Sequence, residues 1–407
     1  MRRETKPVGT GRRLTSHVSR LPEDLPLTLY VHLPWCVRKC PYCDFNSHAL
    51  KTALPEDAYL DALLRDFDFA ASELDARRPL QAIFFGGGTP SLFSAAAIGR
   101  LLDHVSGRLS FAPNAEITLE ANPGTIEHDS FRNYRAAGIN RVSLGVQSFD
   151  DGQLKTLGRI HDSGAAFAAI DELHAAGLAN FNIDLMYALP GQDAEAALAD
   201  VEKALAAKPA HISHYELTLE PNTLFAARPP TGLPDDDCAM EIATACRERL
   251  AAAGFERYEI SAYAKPGMQS AHNLNYWRYG DYLAIGAGAH GKLTTAHGIV
   301  RTARHRHPRD YQAKAGTAGV LAERREISPA ERVFEYMLNR ARLVEGGHPS
   351  EFAARTGLGE HRIEPGLARA VELGLLETRP DGGWLPTARG LDLLNELQAL
   401  FLPEKQQ

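Results

Sequence analysis

The chain has 407 residues, 44% of them hydrophobic and 23% charged, and carries a formal net charge of -7. That length exceeds one ordinary core, the composition describes a globular chain rather than a disordered or membrane one, and the acidic balance argues against a general nucleic-acid coat. No apolar run approaches the roughly 18 residues of a membrane-spanning helix.

The first 26 residues are basic and polar with no apolar stretch, which reads as a floppy tail rather than a secretory signal. From about residue 27 short apolar runs alternate with helical patterns. The runs LTLYVHL (27–33), QAIFFG (81–86), AEITLEA (115–121), RVSLGVQ (141–147), ANFNIDLMYAL (179–189) and HISHYELTL (211–219) read as strands. Residues 56–74 and 164–177 read as helices, with Gly138 and Gly177 placed as glycines that end helices. Strand and helix in alternation mean right-handed crossovers and a parallel sheet. Six units fall short of the eight of a closed barrel. A doubly wound sheet is the alternative, but polar residues at the strand ends (the Gly86–Thr89 loop, Glu120, Gln147, Asp184) favour an α/β fold of the partial (β/α)6 TIM-like barrel type.

The alternation stops after about Pro221. Domain boundaries are expected at 27–230 for the barrel core and 231–324 for an extension holding His272-Asn-Leu-Asn-Tyr276-Trp277 and Gly286-Ala-Gly-Ala-His290. Residues 325–407 read as a module of three helices, a hairpin (375–390) and a final helix (390–402), the winged-helix pattern. Its third helical segment carries more acid than base, so a protein-contact or lid role is expected there rather than DNA binding.

Three of five cysteines fall within eight residues, as Cys36-Val-Arg-Lys-Cys40-Pro-Tyr-Cys43, on a loop after the first strand. An odd, clustered set fits a reducing compartment, so a cytoplasmic location is expected. Cys238 and Cys246 read as small buried hydrophobes. The cluster is open to three readings: zinc with Asp44, His48 or His32 as fourth ligand, a disulfide plus a spare thiol, or a [4Fe–4S] cluster. In the third, three thiolates leave one iron open to a small molecule.

The spacing, with Tyr30-Val-His-Leu-Pro-Trp before it and Pro41-Tyr42 within it, resembles the radical S-adenosylmethionine (SAM) superfamily. Within that superfamily it is similar to the subgroup holding oxygen-independent coproporphyrinogen III dehydrogenase and the HemW haem chaperones. The resemblance implies a cluster on Cys36, Cys40 and Cys43 whose open iron takes the methionine end of SAM. It also implies that Gly87, Gly88 and Thr89 receive the amino group and that Glu120 and Arg159 balance the zwitterion. Asp184 and Gln147 would suit the ribose, with Tyr30 and Tyr42 flanking cluster or adenine. His272, Tyr276, Trp277 and His290 are possible haem contacts, or braces of the barrel edge.

Two functions follow from the resemblance. The first is a chaperone that binds haem and delivers it to apo-haemoproteins such as respiratory enzymes, with a homodimer possible and no catalytic residues of its own. The second is radical oxidative decarboxylation of coproporphyrinogen III. The oxidising enzymes resemble CxxxCxxCxC, and here the last of those positions is Phe45, which favours the chaperone.

Overall fold

The structure, a computed structural model, describes residues 25–74, 78–124 and 129–403. The expected basic tail, save its last two residues, lies outside them. Six strands run parallel as neighbours in chain order: β1 (Leu27–Leu33), β2 (Leu80–Gly87), β3 (Phe111–Ala121), β4 (Arg141–Gln147), β5 (Phe181–Tyr187) and β6 (His211–Glu216). A doubly wound sheet reverses its order at a switch point. This run does not reverse, so it is a single-wound, partial (β/α)6 barrel.

The sheet continues on both sides. β7 (Glu256–Arg257) and β8 (Ala262–Ala264) add antiparallel beyond β6. β9 (Asp281–Ile285) pairs parallel with β1, and β10 (His290–Thr295), β11 (Gly298–Arg304) and β12 (Leu321–Glu326) follow antiparallel. The result is one open twelve-stranded sheet with β12 at one edge and β7 at the other.

Side-chain alternation divides each barrel strand into two faces. Leu29, Val31, Ile83, Phe85, Leu119, Leu144, Ile183 and Leu185 join Leu63, Phe67, Leu101, Leu173 and Val201 of the outer helices in the main apolar cluster. The alternate residues point inward, and most of them are polar. After helices Phe131–Ala136 and Ser163–Ala175, Gly138 (φ 114°) and Gly177 (φ 70°) take left-handed backbone. Ile139 N–H donates to Tyr134 C=O and Leu178 N–H to Leu173 C=O, which closes a Schellman motif at each end.

The extension is tied by buried charge to the segment that leads into β2. Asp281, wholly buried, accepts from Lys292 Nζ at 3.1 Å and from Arg78 Nη2 at 2.8 Å. Lys292 is itself buried, and its Nζ also donates to Tyr279 C=O at 3.0 Å.

Helices Pro329–Arg340, Pro349–Thr356 and Glu364–Glu372 and the hairpin Leu376–Thr378/Trp384–Pro386 surround a separate apolar cluster that includes Tyr336, Phe352, Ile363 and Trp384. The single last helix expected over 390–402 is two short ones, Ala388–Asp392 and Leu394–Ala399, broken at Leu393 (φ -106°, ψ 41°). Cys246 is fully buried and Cys238 half-buried on helix Asp236–Ala252. Among the described residues no helix is long and apolar enough to cross a membrane.

Candidate functional site: a cysteine loop over a polar barrel interior

The cysteine loop starts where β1 ends, and backbone bonds fix it. His48 N–H donates to Pro34 C=O at 2.7 Å, Leu50 N–H to Cys36 C=O at 2.9 Å, and Cys43 N–H to Cys40 C=O at 3.2 Å. Trp35 anchors it below, edge-on to Tyr59 with centroids 4.6 Å apart. All three thiols are free and half-buried. Burial, and then the neighbouring sulfurs against the bonds from Thr89 and Ser47, pushes Cys36 up; burial also raises Cys43. Such thiols keep their protons until a metal displaces them.

Of the fourth ligands open to the zinc reading, His32 is withdrawn here. Both ring nitrogens of His32 are engaged, Nδ1 with Tyr30 OH at 2.9 Å and Nε2 with Asn46 C=O at 2.9 Å. The Arg306 carbonyl engages one side of the His48 ring and leaves Nε2 buried without a partner, and Asp44 lines the cavity beside the cysteines. Among the described residues no three His, Cys, Asp or Glu side chains, the three cysteines included, converge as a ready-made chelate. What remains is three sulfur donors on one cavity wall, a donor set that suits iron–sulfur chemistry with one iron left open.

The glycine loop after β2 interlocks with this loop. Gly88 N–H donates to Leu33 C=O at 2.8 Å and Thr89 N–H to Trp35 C=O at 2.7 Å. A Cβ on Gly88 would lie 2.5 Å from the Trp35 carbonyl oxygen, and one on Gly87 (φ 114°) 2.4 Å from the His32 ring. Both glycines are therefore demanded by the close approach of backbone to backbone or ring, whatever ligand sits beside them. Gly88→Ala is expected to cost about 1–3 kcal/mol, because two backbone segments would have to part. Denaturant unfolding reads this as a lowered midpoint at unchanged slope.

Below the loop lie two buried carboxylates. Burial, and then the nearby Asp184 charge, pushes Glu120 up to about 8. It accepts from Gly87 N–H at 3.1 Å, and no cation among the described residues acts on it. Asp184 is also raised by burial, against donation from Asn182 Nδ2 at 2.7 Å and Ser143 Oγ at 3.1 Å. A ligand that brings its own positive charge would relieve both. Arg159 stands opposite, 3.6 Å from Cys40 Sγ and 3.5 Å from Tyr42 OH, anchored by Nη2 on Gly145 C=O at 2.6 Å. Its Nε is buried without a hydrogen-bond partner. Gln147 holds left-handed backbone (φ 71°) and accepts from Tyr215 OH at 2.6 Å.

These residues line one cavity of about 660 Å³. It brings together the three cysteines, Tyr30, Tyr42, Gly87, Gly88, Thr89, Glu120, Gln147, Arg159 and Asp184. Of the four possible haem contacts only His272 reaches it, stacked on Phe84 at 4.9 Å. Burial holds the His272 ring down to about 4, and its buried Nδ1 has no partner. Tyr276 packs on Tyr282 at 5.0 Å, and Trp277 lies under the Arg342 guanidinium at 4.4 Å. His290 is exposed at the start of β10.

Sequence reading missed the cavity floor. Arg141, Ser143, Asn182, His211 and Ser213 all line it. Tyr258 OH lies 2.9 Å from His211 Nε2, His211 Nδ1 is 2.7 Å from Asn182 Oδ1, and Asn182 Nδ2 donates to Asp184. This ladder fixes the Asp184 carboxylate from below.

Residues 30–204 match the family described as the Radical SAM superfamily. The chain is 50% identical over 380 residues to the heme chaperone HemW of Escherichia coli (strain K12), covering 93% of this chain and 99% of that protein. The chain belongs to the HemW family. The heme chaperone HemW of Haemophilus influenzae is 47% identical over 95% of this chain and 100% of its own length. Among solved structures, the radical SAM enzyme coproporphyrinogen III oxidase (HemN) of Escherichia coli superposes with a TM-score of 0.78. It covers 94% of this chain and 91% of that one at 24% identity, so the two share a fold. The radical SAM superfamily uses SAM and a [4Fe–4S] cluster. In this HemW-family chain the three unchelated thiols and the two buried carboxylates, of which only Asp184 feels a cation (Arg159), fit that pair.

Proposed function

We propose that this chain is a cytoplasmic haem chaperone, which binds haem and passes it to apo-haemoproteins, including respiratory enzymes. The observation that carries this is half-identity to a heme chaperone across nearly the full length of both proteins. Phe45 adds to it. A phenyl ring, 60% exposed at the cavity mouth, stands where the porphyrinogen-oxidising enzymes resemble a further cysteine.

In this reading Cys36, Cys40 and Cys43 would hold the cluster, and SAM would bind beside it in the cavity. When bound, the pair supplies one-electron chemistry at a sulfonium centre. The chain's own residues do the positioning. Glu120 and Asp184 offset the positive charge of the ligand, and Arg159 faces its carboxylate. Gln147 and Asp184 offer acceptors to a ribose diol. Residues 27–230, 231–324 and 325–407 act as core, extension and C-terminal module.

An anaerobic turnover assay separates this reading from porphyrinogen oxidation. Reconstituted protein is given coproporphyrinogen III, SAM and a low-potential reductant, and protoporphyrinogen is sought by chromatography. No product, from protein with an intact cluster spectrum that takes up haem, is the expected outcome. Product over many turnovers would overturn the chaperone reading.

A further inference from the structure

Haem presents an apolar plate, two carboxylates and an iron that accepts an imidazole nitrogen. One surface of the chain offers groups for all three, beside the cysteine loop at the mouth of the cavity, which Lys39 and Phe45 also line. Three chain segments are clamped together to make it. Asn46 Nδ2 donates to Ala287 C=O and to Arg306 C=O, each at 2.9 Å, and Gly288 N–H donates to His305 C=O at 2.9 Å. The fit around Asn46 is close: a Cβ on Gly288 would lie 2.3 Å from its amide. Phe45 directly precedes Asn46 and His290 follows Gly288 by two residues, so the clamp joins the two segments that carry them.

The surface is histidine-rich and basic in a chain whose net charge is -7. His48 meets His307 edge-on at 5.7 Å, within the field of Lys39 and Arg306. The four rings are not equivalent. His305 Nε2 is taken by Lys314 Nζ at 2.9 Å, and His307 Nδ1 accepts from Arg309 N–H at 3.2 Å. His48 Nε2 has no partner but is buried. His290 is exposed, and its ring makes no hydrogen bond among the described residues. Burial, and then Arg301, Arg306 and Arg304 against the opposing pull of Glu323, holds this ring below the ordinary histidine value. It therefore offers a neutral lone pair at pH 7.

We propose that haem docks on this surface, with His290 on the iron, Phe45 against the macrocycle, and Arg306 and Lys39 on the propionates. This rests on the chaperone reading and adds the place where the cargo sits. The cargo would then lie against the outside of the loop whose thiols face the cluster.

The test is haem titration of the full-length protein, followed by Soret absorption and affinity, for wild type, His290→Ala, Arg306→Glu and His272→Ala. His290→Ala is expected to lose the imidazole-ligated Soret band and at least about tenfold in affinity. Arg306→Glu, an exposed charge reversal, should keep the band but weaken uptake several-fold, most at low salt. Wild-type spectrum and affinity in both of these variants would overturn the proposal and leave the chaperone standing. So would loss of the band in His272→Ala with His290→Ala unaffected. A wild-type protein that takes up no haem would overturn the chaperone reading itself, and the docking site with it.

Discussion

Serine at Cys36, Cys40 and Cys43 together is expected to abolish the visible absorption and iron content of the reconstituted protein. Unfolding free energy should stay within about 1 kcal/mol of wild type. The two halves of this expectation have separate causes. No three His, Cys, Asp or Glu side chains among the described residues already converge as a metal chelate, so loss of the sulfurs leaves no substitute site. The fold asks little of the thiols: none is in a disulfide, and the partners they have, Ser47 beside Cys43 and Arg159 beside Cys40, can meet a hydroxyl instead. The loop itself hangs on backbone bonds through Pro34, Cys36, Cys40 and Trp35. Iron analysis after reconstitution and a denaturant curve on the same sample read both halves. A full complement of iron in the triple variant would sink the assignment.

Asp281→Ala is expected to destabilise the chain by about 3–5 kcal/mol, because it strands Lys292, a buried ammonium, without its counter-charge. Lys292→Met should cost less, since Arg78 still neutralises the carboxylate from the other side at 2.8 Å. The pH dependence has a definite sign. Burial alone would raise the Asp281 carboxyl, but Lys292 and Arg78 outweigh it and hold it below its ordinary value. A carboxyl depressed in the folded state contributes fully above its unfolded pKa, and that contribution is lost as pH falls through the folded value. Unfolding curves across the acid range should therefore show wild type and Asp281→Ala converging as pH drops. Parallel curves would mean that the group is not ionised in the fold.

The parallel core was legible because its strands carry long apolar runs between clear helical patterns. LTLYVHL and RVSLGVQ were read with the bounds they have in the structure. The cavity floor was less legible, although a signal was present. A parallel strand buried on both faces reads as near-continuous apolar residues. Here Arg141 and Ser143, Asn182 and Asp184, and His211 and Ser213 recur at every second position. That period belongs to strands with one apolar and one polar face, and it marks a barrel whose inside is built to meet a polar ligand. The strands of residues 281–326 escaped because aromatic and glycine residues broke the pattern, and because β9 finds its partner in β1, far away in sequence. The interlock of Gly88 with Trp35 was also hidden, since the requirement for glycine comes from a carbonyl some fifty residues earlier.

The open sheet leaves β12 with one flank unpaired, and an unpaired strand invites other chains to add to it and grow aggregates. Its sequence, Leu-Ala-Glu-Arg-Arg-Glu, is almost wholly exposed. Arg324 reaches Glu73 at 3.6 Å, and Arg325 reaches Glu323 and Glu331 at 3.2 and 2.8 Å. An incoming strand would have to strip water from four consecutive charges and break these pairs. The charged border thus disfavours edge-to-edge growth of the sheet into fibrils.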